Sequence, residues 1–369
     1  MKKTLYLYID ETFLGEVVID GVRGRETMMF RYDPDYLKVP RPLLDPEIAN
    51  VRGPQFPRHG GSFGFLADVA PDRWGRKLIR RREGRDLLES DYLLGVCDLT
   101  RQGALRIKAE KEGPFVASDL GDAAPPWTTL RKLEDSARHL DADDHGKDEE
   151  RWMRDLFCPG SSLGGARPKA NVTAPDDTLW IAKFPSARDE WDVGAREYET
   201  SVLARRAGLN VPDTKCSRLS KAGMTFFSRR FDRQGGRRIP YASAMTMLGA
   251  SDGEEHSYLE IAEFIAANSA DPVSDLHELW SRMVFSGLVH NTDDHLRNHG
   301  FLLTDRGWRL SPMFDVNPNP DGGESALDHG DAFRDAEYYR LTPSEAKARY
   351  QRIKAVVEGG VRKGLSKRL

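Results

Sequence analysis

The amino-acid sequence predicts an α+β protein, and three observations carry that reading. Short β-branched and aromatic runs, "TLYLYI" (residues 4–9) and "LGEVVI" (14–19), alternate with a polar turn at the start. A second set, "KANVTA", "TLWIAKFP" and "MTFFSRRFD", lies between residues 169 and 232. Beyond residue 244 the pattern is helical, in "SYLEIAEFIAANS", "DLHELWSRMVFSGLVHN" and "PSEAKARYQRIKAVVEGGVRK". Strands first and helices after is an α+β order.

With 369 residues the chain is long enough for two or three domains and a sizeable core. A net charge of −3 gives no global basic field that calls for nucleic acid. Cys97, Cys158 and Cys216 are far apart and lack CxxC spacing, so they read as small buried hydrophobes and not as a disulfide framework. In "MKKTLYLYIDETFLGEV" Asp10 and Glu11 interrupt the apolar run, and no stretch approaches membrane-spanning length. The expectation is a cytoplasmic protein with no membrane partner.

In order, "GVRGRETMMFRYDPDYL" reads as a third strand and its exit. In "FGFLADVAPDRWGRKLIRRREGRD" Pro71 sits near a helix start, and Leu78 and Ile79 stand among Arg73, Arg76, Lys77, Arg80, Arg81 and Arg82. "SDYLLGVC" opens with a Ser/Asp N-cap, and "GALRIKA" is strand-like. Residues 1–112 thus form a small N-terminal α/β subdomain. Residues 113–150 connect, as a helix with solvated ends, through the Pro-containing "GDAAPPW" and the solvated charge run "DADDHGKDEER". The chain restarts near 151. "GAREYETSVLARRAGL" is a helix ending at Gly208.

Four stretches bear on chemistry. "GSSLGGARPK" (Gly160–Lys169) is glycine-rich and precedes a strand, so its backbone N–H groups can approach a phosphate. It is neither a Walker A loop nor the GxGxxG of ordinary protein kinases. Lys183 stands in the apolar strand "LWIAKFP" and needs a partner if it faces inward; Glu197 and Glu199 of the next helix are available. Asp293 to Asn298 fits D-x-x-x-x-N, in which the Asp takes a hydroxyl proton and the Asn oxygen ligates Mg²⁺. Magnesium asks for a further oxygen ligand, and Asp315 in "LSPMFDVNP" follows what reads as a hairpin. A competing reading gives His290, His295 and His299 to a transition metal, but HExxH is absent and the Asp/Asn density argues against a helix there. His295 then braces the loop. Gly-rich loop, strand Lys, helix Glu, "SRRFD", D-x-x-x-x-N and F-D follow one another in the order of parts in a protein kinase.

On these motifs the chain resembles the HipA-like serine/threonine kinases, the toxin halves of bacterial type II toxin–antitoxin pairs. "FGFLADVAPDRWGRKLIRRR" and "SDYLLGVCDLTRQGALRI" resemble that family's N-terminal subdomain. "SSLGGARPKANV", "IAKFP", "EYETSVLARRAGLNVPD", "SRRFDR", "HNTDDHLRNHGFLL" and "LSPMFDVNPNP" resemble its kinase core. The resemblance implies a bilobal core: an N-lobe-like part at 151–243 and a mainly α-helical C-lobe at 244–369. It implies that Lys183 holds the phosphates of ATP, with Gly164, Gly165 and Lys169 of the loop covering them. Arg230 and Phe231 lie in the hinge that meets adenine, and Asp232 serves the ribose hydroxyls. Glu197 is the helix carboxylate, Asp293 the catalytic base, and Asn298 and Asp315 bind Mg²⁺. A loop serine is autophosphorylated, which ejects the loop and switches the enzyme off. Some relatives carry that serine immediately before the Gly-Ala pair, where this chain has Gly164, so Ser162 and then Ser161 are the candidates. The resemblance also implies an aminoacyl-tRNA synthetase as substrate and a helix-turn-helix antitoxin bound to operator DNA. Arg73–Arg85 reads as a solvated basic helix face, or a contact to DNA, antitoxin or tRNA. A function from another class, a kinase-shaped corepressor acting through antitoxin and DNA, is favoured by a missing catalytic group, and none is missing; a metal-dependent hydrolase requires bound zinc at the His cluster.

Overall fold

A computed structural model describes residues 2–22, 25–58, 61–71, 73–118, 123–162, 165–251, 253–319, 323, 325 and 327–360. It divides into two compact units. The first comprises Met1–Glu190 and Ser217–Ala242, the second Trp191–Cys216 and Ser243–Leu369. The expected parts 1–112, 113–150 and most of 151–243 therefore fall within one unit.

The first unit opens with β1 (Lys2–Ile9), β2 (Thr12–Val22) and β3 (Arg25–Tyr32), as the alternating pattern predicts. With β4 (Leu105–Lys108) they form a sheet of order β3-β2-β1-β4, antiparallel throughout. Helix α1 (Arg73–Glu83) buries Trp74, Gly75, Leu78 and Ile79 and carries its basic residues on the other side, Arg73, Arg80 and Arg82 among them exposed. Gly84, at φ +61, ends it by returning its N–H to Arg80 O at 3.0 Å. Helix α2 (Glu89–Gly95) begins two residues earlier than a Ser90 cap predicts: Leu88 is the N-cap, and Asp91 accepts its N–H at 3.1 Å. Acid at the third helical position thus does the work the sequence gives to a preceding Ser/Asp cap.

Two more helices, α3 (Leu130–Asp141) and α4 (Glu149–Ser161), pack on α1 and on an antiparallel pair, β5 (Lys169–Thr173) and β6 (Leu179–Lys183). The segment read as a connector therefore supplies core: Leu130, Leu133, Ala137 and Leu140 are all buried. Strand β7 (Thr225–Arg229) pairs with β6. Helix α1 crosses the end of α4 closely, because Gly75 and Gly160 have no side chains. A Cβ on Gly75 would lie 2.5 Å from Ser161 O, and one on Gly160 2.7 Å from Leu78 Cδ1. Gly160 and Ser161 are consequently helical, not the start of a loop as read from composition.

The cysteine reading needs correction. Cys97 and Cys158 form a disulfide, with Cα atoms 5.6 Å apart and both residues in the buried core of this unit. Sixty-one residues of separation hid the pair, because α4 carries Cys158 back onto the turn after α2.

In the second unit, α5 (Val193–Arg206) is capped by Asp192 and closed by Gly208 at φ +87. Helix α6 (Tyr258–Asn268) has a Ser257/Glu260 capping box. Helix α7 (Pro272–Leu288) has Pro272 in its first turn and an Asp271 cap, and it is the buried axis of this unit: Leu276, Leu279, Trp280 and Phe285 are fully enclosed. A hairpin, β8 (Gly300–Thr304) and β9 (Gly307–Leu310), follows, then α8 (Pro343–Gly360). Among the described residues no helix is long and apolar enough to cross a membrane.

Candidate functional site

The candidate residues divide between the two units. In the second, α7 stops at His290, whose backbone is left-handed (φ 54). The Asn291 N–H returns to Ser286 O at 2.9 Å and the His290 N–H to Gly287 O at 3.3 Å, a glycine-type helix stop made with histidine. The chain then runs through Asp293 and Asp294, makes a single turn at Leu296–Asn298 and enters β8.

Asp294 is sealed. It accepts the Tyr258 hydroxyl at 2.6 Å and His299 Nε2 at 2.9 Å, with His329 Nε2 at 3.6 Å. Burial alone pushes its pKa up, but His299, His329 and Tyr258 outweigh that and hold the carboxyl well below its usual range. Burial, then the Asp294 charge, push the Tyr258 phenol well above its own. His299, not His295, is therefore the histidine that braces the loop. Asp293 faces the other way, its side chain 66% exposed. The Asp293 carbonyl accepts Asn298 Nδ2 at 2.7 Å, closing D-x-x-x-x-N into one small ring. With its amide N–H so engaged, the buried Asn298 turns Oδ1 to the opposite side of the carboxamide.

The stretch after the hairpin is laced to both ends of this loop. Ser311 N–H donates to Gly300 O at 2.8 Å, Asn317 N–H to Asn291 Oδ1 at 3.1 Å, and Asn319 N–H to His290 O at 2.8 Å. Asp315 sits in that stretch with a left-handed φ of 57, and Asn317 Nδ2 donates to its Oδ1 at 3.2 Å. A left-handed Asp is uncommon and persists where its surroundings fix it. Asp293, Asn298 and Asp315 thus belong to one pair of interlocked loops. Asn298 Oδ1 and the Asp315 carboxylate are hard oxygen donors, which fits Mg²⁺. The histidines have separate tasks: His290 stops a helix and His299 holds Asp294. Among the described residues, no group of three or more His, Cys, Asp or Glu is arranged to hold a metal.

In the first unit, Lys183 ends β6 directly opposite Lys169 on β5, and its Nζ lies 5.8 Å from the centre of the Phe226 ring. Two ammonium-bearing side chains as cross-strand neighbours concentrate positive charge at one end of the sheet. Lys169 is buried; Trp74 Nε1 donates to its carbonyl at 2.9 Å, and the Trp74 N–H donates to Gly165 O at 3.2 Å. Helix α1 thereby anchors the downstream half of the glycine-rich loop. Gly164 lies outside the described residues. Ser161 and Ser162 are both buried: Ser161 donates to Cys158 O at 3.3 Å, and Ser162 Oγ accepts from Asn171 Nδ2 at 3.1 Å.

Arg230 and Asp232 come together, inward. Arg230 donates to Asp232 at 2.9 and 2.5 Å, to Thr100 O at 2.6 Å and to Asn171 Oδ1 at 2.9 Å. Asp232 also accepts from Arg233 at 2.8 Å and Gly103 N–H at 2.7 Å. Burial works against ionising it, yet Arg230 and Arg233 hold it well below the carboxylate range, while burial pushes Arg233 down to about 9. The carboxylate expected on ribose hydroxyls is therefore occupied by protein donors and braces the segment. Phe231, between the two, is half-buried. On α5 it is Glu197 that is buried, and Glu199 is half-buried.

Asp294, Tyr258, Asn291 and Asn171 escaped the sequence reading. The Asp-Asp doublet was the only local signal; their partners lie up to 59 residues away.

Residues 161–363 match the HipA-like C-terminal domain. A Haemophilus influenzae protein named "Putative kinase" is 26% identical over 196 residues, 46% of this chain and 56% of that protein. Sinorhizobium fredii "Putative kinase Y4dM" is 27% identical over 152 residues, 37% of this chain and 36% of that one. The matches thus span about half of one curated relative and about a third of the other. The fold is similar to a chain of the Shewanella oneidensis MR-1 toxin–antitoxin complex of HipA, HipB and operator DNA. The TM-score is 0.72 at 18% identity, over 99% of this chain and 91% of that one. That likeness spans 99% of this chain, in keeping with the α+β expectation. Matching the HipA-like C-terminal domain over more than half its length, the chain belongs to that family.

Proposed function

We propose that this protein is a Mg²⁺- and ATP-dependent serine/threonine protein kinase acting as a toxin. The observation that carries the reading is the Asn298 Nδ2 to Asp293 O bond, which leaves an exposed carboxylate and an amide oxygen on one loop. In the proposed reaction Asp293 accepts the proton of a protein hydroxyl as that oxygen bonds to the γ-phosphorus of ATP. The bond from γ-phosphorus to the bridging oxygen breaks, and ADP leaves. Lys183 and Lys169 hold phosphate charge, Gly164 and Gly165 are the loop glycines of the ATP site, and Glu197 is the helix carboxylate of the set. Arg230 and Phe231 form the hinge to adenine, and Asp232 stiffens it. Asn298 and Asp315 would hold Mg²⁺, which when bound neutralises phosphate charge.

The substrate on this reading is a translation component such as an aminoacyl-tRNA synthetase. A helix-turn-helix antitoxin neutralises the enzyme and ties it to operator DNA; the similar Shewanella chain comes from a complex of HipA, HipB and operator DNA. Autophosphorylation at Ser162, or failing that Ser161, switches it off. Both serines are buried, so modification requires the turn to leave its place, and about two added negative charges keep it from returning. Calorimetry with Mg·ATP tests the reading. Wild type and Asp293→Ala should bind alike while only wild type transfers phosphate, and Lys183→Ala should bind at least about tenfold more weakly. No binding by wild type overturns it.

A further inference from the structure

Helix α1 places Arg73, Arg76, Lys77, Arg80 and Arg81 on one face, at i, i+3, i+4, i+7 and i+8. The opposite face is in the core, so this stripe is not a byproduct of burial. Nor is it a flat solvated surface. It lines a cleft of about 520 Å³, with Arg188 contributing from another segment and Asp143 and His145 completing the lining. Six Lys or Arg side chains meet one carboxylate there.

Some of these cations are tied down. Arg76 is held by Glu89, Arg81 by Glu149 at 2.6 Å, and Lys77 by Asp143 at 2.7 Å. Among the described residues the Arg80 side chain has only the Tyr92 hydroxyl, at 3.3 Å. The Arg73 and Arg188 side chains make no hydrogen bond or close ion pair among the described residues; the Arg188 N–H donates to Ser186 Oγ at 3.2 Å, and, after Lys77 and Arg81, its guanidinium charge helps hold the Asp143 carboxyl below its usual range. At the floor, Arg81 is 9% exposed, and its Nη1 is sealed without a hydrogen-bond partner, 4.0 Å from Asp143 Oδ1. Asp143 itself is 60% exposed and has a left-handed φ of 56. An exposed carboxylate held between Lys77 and Arg81 marks the position an oxyanion would take.

We infer that this cleft binds a small polyphosphate or phosphate ester of about nucleotide size, whose phosphoryl oxygens displace Asp143 and engage Arg73, Arg80 and Arg188. Guanidinium forks match phosphoryl oxygens two at a time, and the volume lies within the usual range for small-ligand sites. The charges line a concavity, whereas a duplex is read by an element that projects into its groove. The inference stands apart from the kinase reading, since none of these residues belongs to the proposed transfer machinery.

The test is calorimetry of the full chain in a Lys183→Ala background, which removes the proposed ATP site, with inorganic tripolyphosphate as probe. Arg73→Ala/Arg188→Ala should weaken binding about tenfold or more, Asp143→Ala should tighten it, and the exposed Arg131→Ala outside the cleft should change nothing. Unchanged melting of each variant verifies the fold. Equal affinity of the double variant and its parent overturns the inference. So does tighter binding of a short DNA duplex that the same double variant abolishes, which makes the cleft a nucleic-acid surface.

Discussion

Asp293 and Asp294 are chemically identical and one peptide bond apart, yet one side chain is 66% exposed and the other 3%. The difference lies in what each faces, and it separates two kinds of mutant. Asp293→Ala should abolish phosphate transfer while changing stability by less than about 0.5 kcal/mol, because its side chain is largely exposed. Asp294→Ala should cost about 3–5 kcal/mol, because His299 and Tyr258 lose a buried acceptor. Urea unfolding of both variants beside a transfer assay separates the effects. The same carboxyl has a pH signature. Its folded pKa is held below the unfolded value of about 4, so its contribution is complete above that pH and lost as pH falls. The urea midpoint of wild type should drop below about pH 4, and that of Asp294→Asn should drop less. The sequence could mark this loop as polar and catalytic in pattern. It could not say which Asp is inside, since Tyr258 comes from 36 residues upstream.

Elements were more legible than their joints. The sequence pattern marked seven of the eight helices named here; α4 escaped, its end being read as a glycine-rich loop, and α3 was read only as a helix with solvated ends, although it buries Leu130, Leu133, Ala137 and Leu140. What escaped was how elements touch. The crossing of α1 and α4 depends on two glycines 85 positions apart in sequence, each meeting the other helix's neighbours within 2.7 Å of a notional Cβ. Gly160→Ala should therefore cost about 1–3 kcal/mol, read from thermal or urea unfolding, and loosen the root of the glycine-rich loop. The Cys97–Cys158 bond staples that same root, and closing a 61-residue span should stabilise the fold by about 4 kcal/mol by the chain-entropy account. Urea midpoints with and without reductant check this, and an unchanged midpoint would contradict it. Disulfides are uncommon in reducing compartments, so the state of this pair in cells also bears on the cytoplasmic expectation.

For the whole molecule, the order of parts carried more than any single motif. Each of the four chemical stretches has an ordinary reading as a turn or an edge; their succession does not. The unit boundaries were less legible. The chain leaves the first unit after Glu190, returns at Ser217 and leaves again after Ala242, so linear boundaries describe only the last crossing, next to the expected one at 243. Strand β7 lies in the returning segment and pairs with β6, and both strands fall within the expected part 151–243. The central claim is that these parts transfer phosphate. Its most direct test is incubation of the purified chain with Mg·ATP, followed by mass-spectrometric mapping of phosphopeptides, with Asp293→Ala as control. The account predicts phosphate on Ser162 or Ser161 in wild type and none in the variant. Wild type that neither acquires phosphate nor binds Mg·ATP would contradict it.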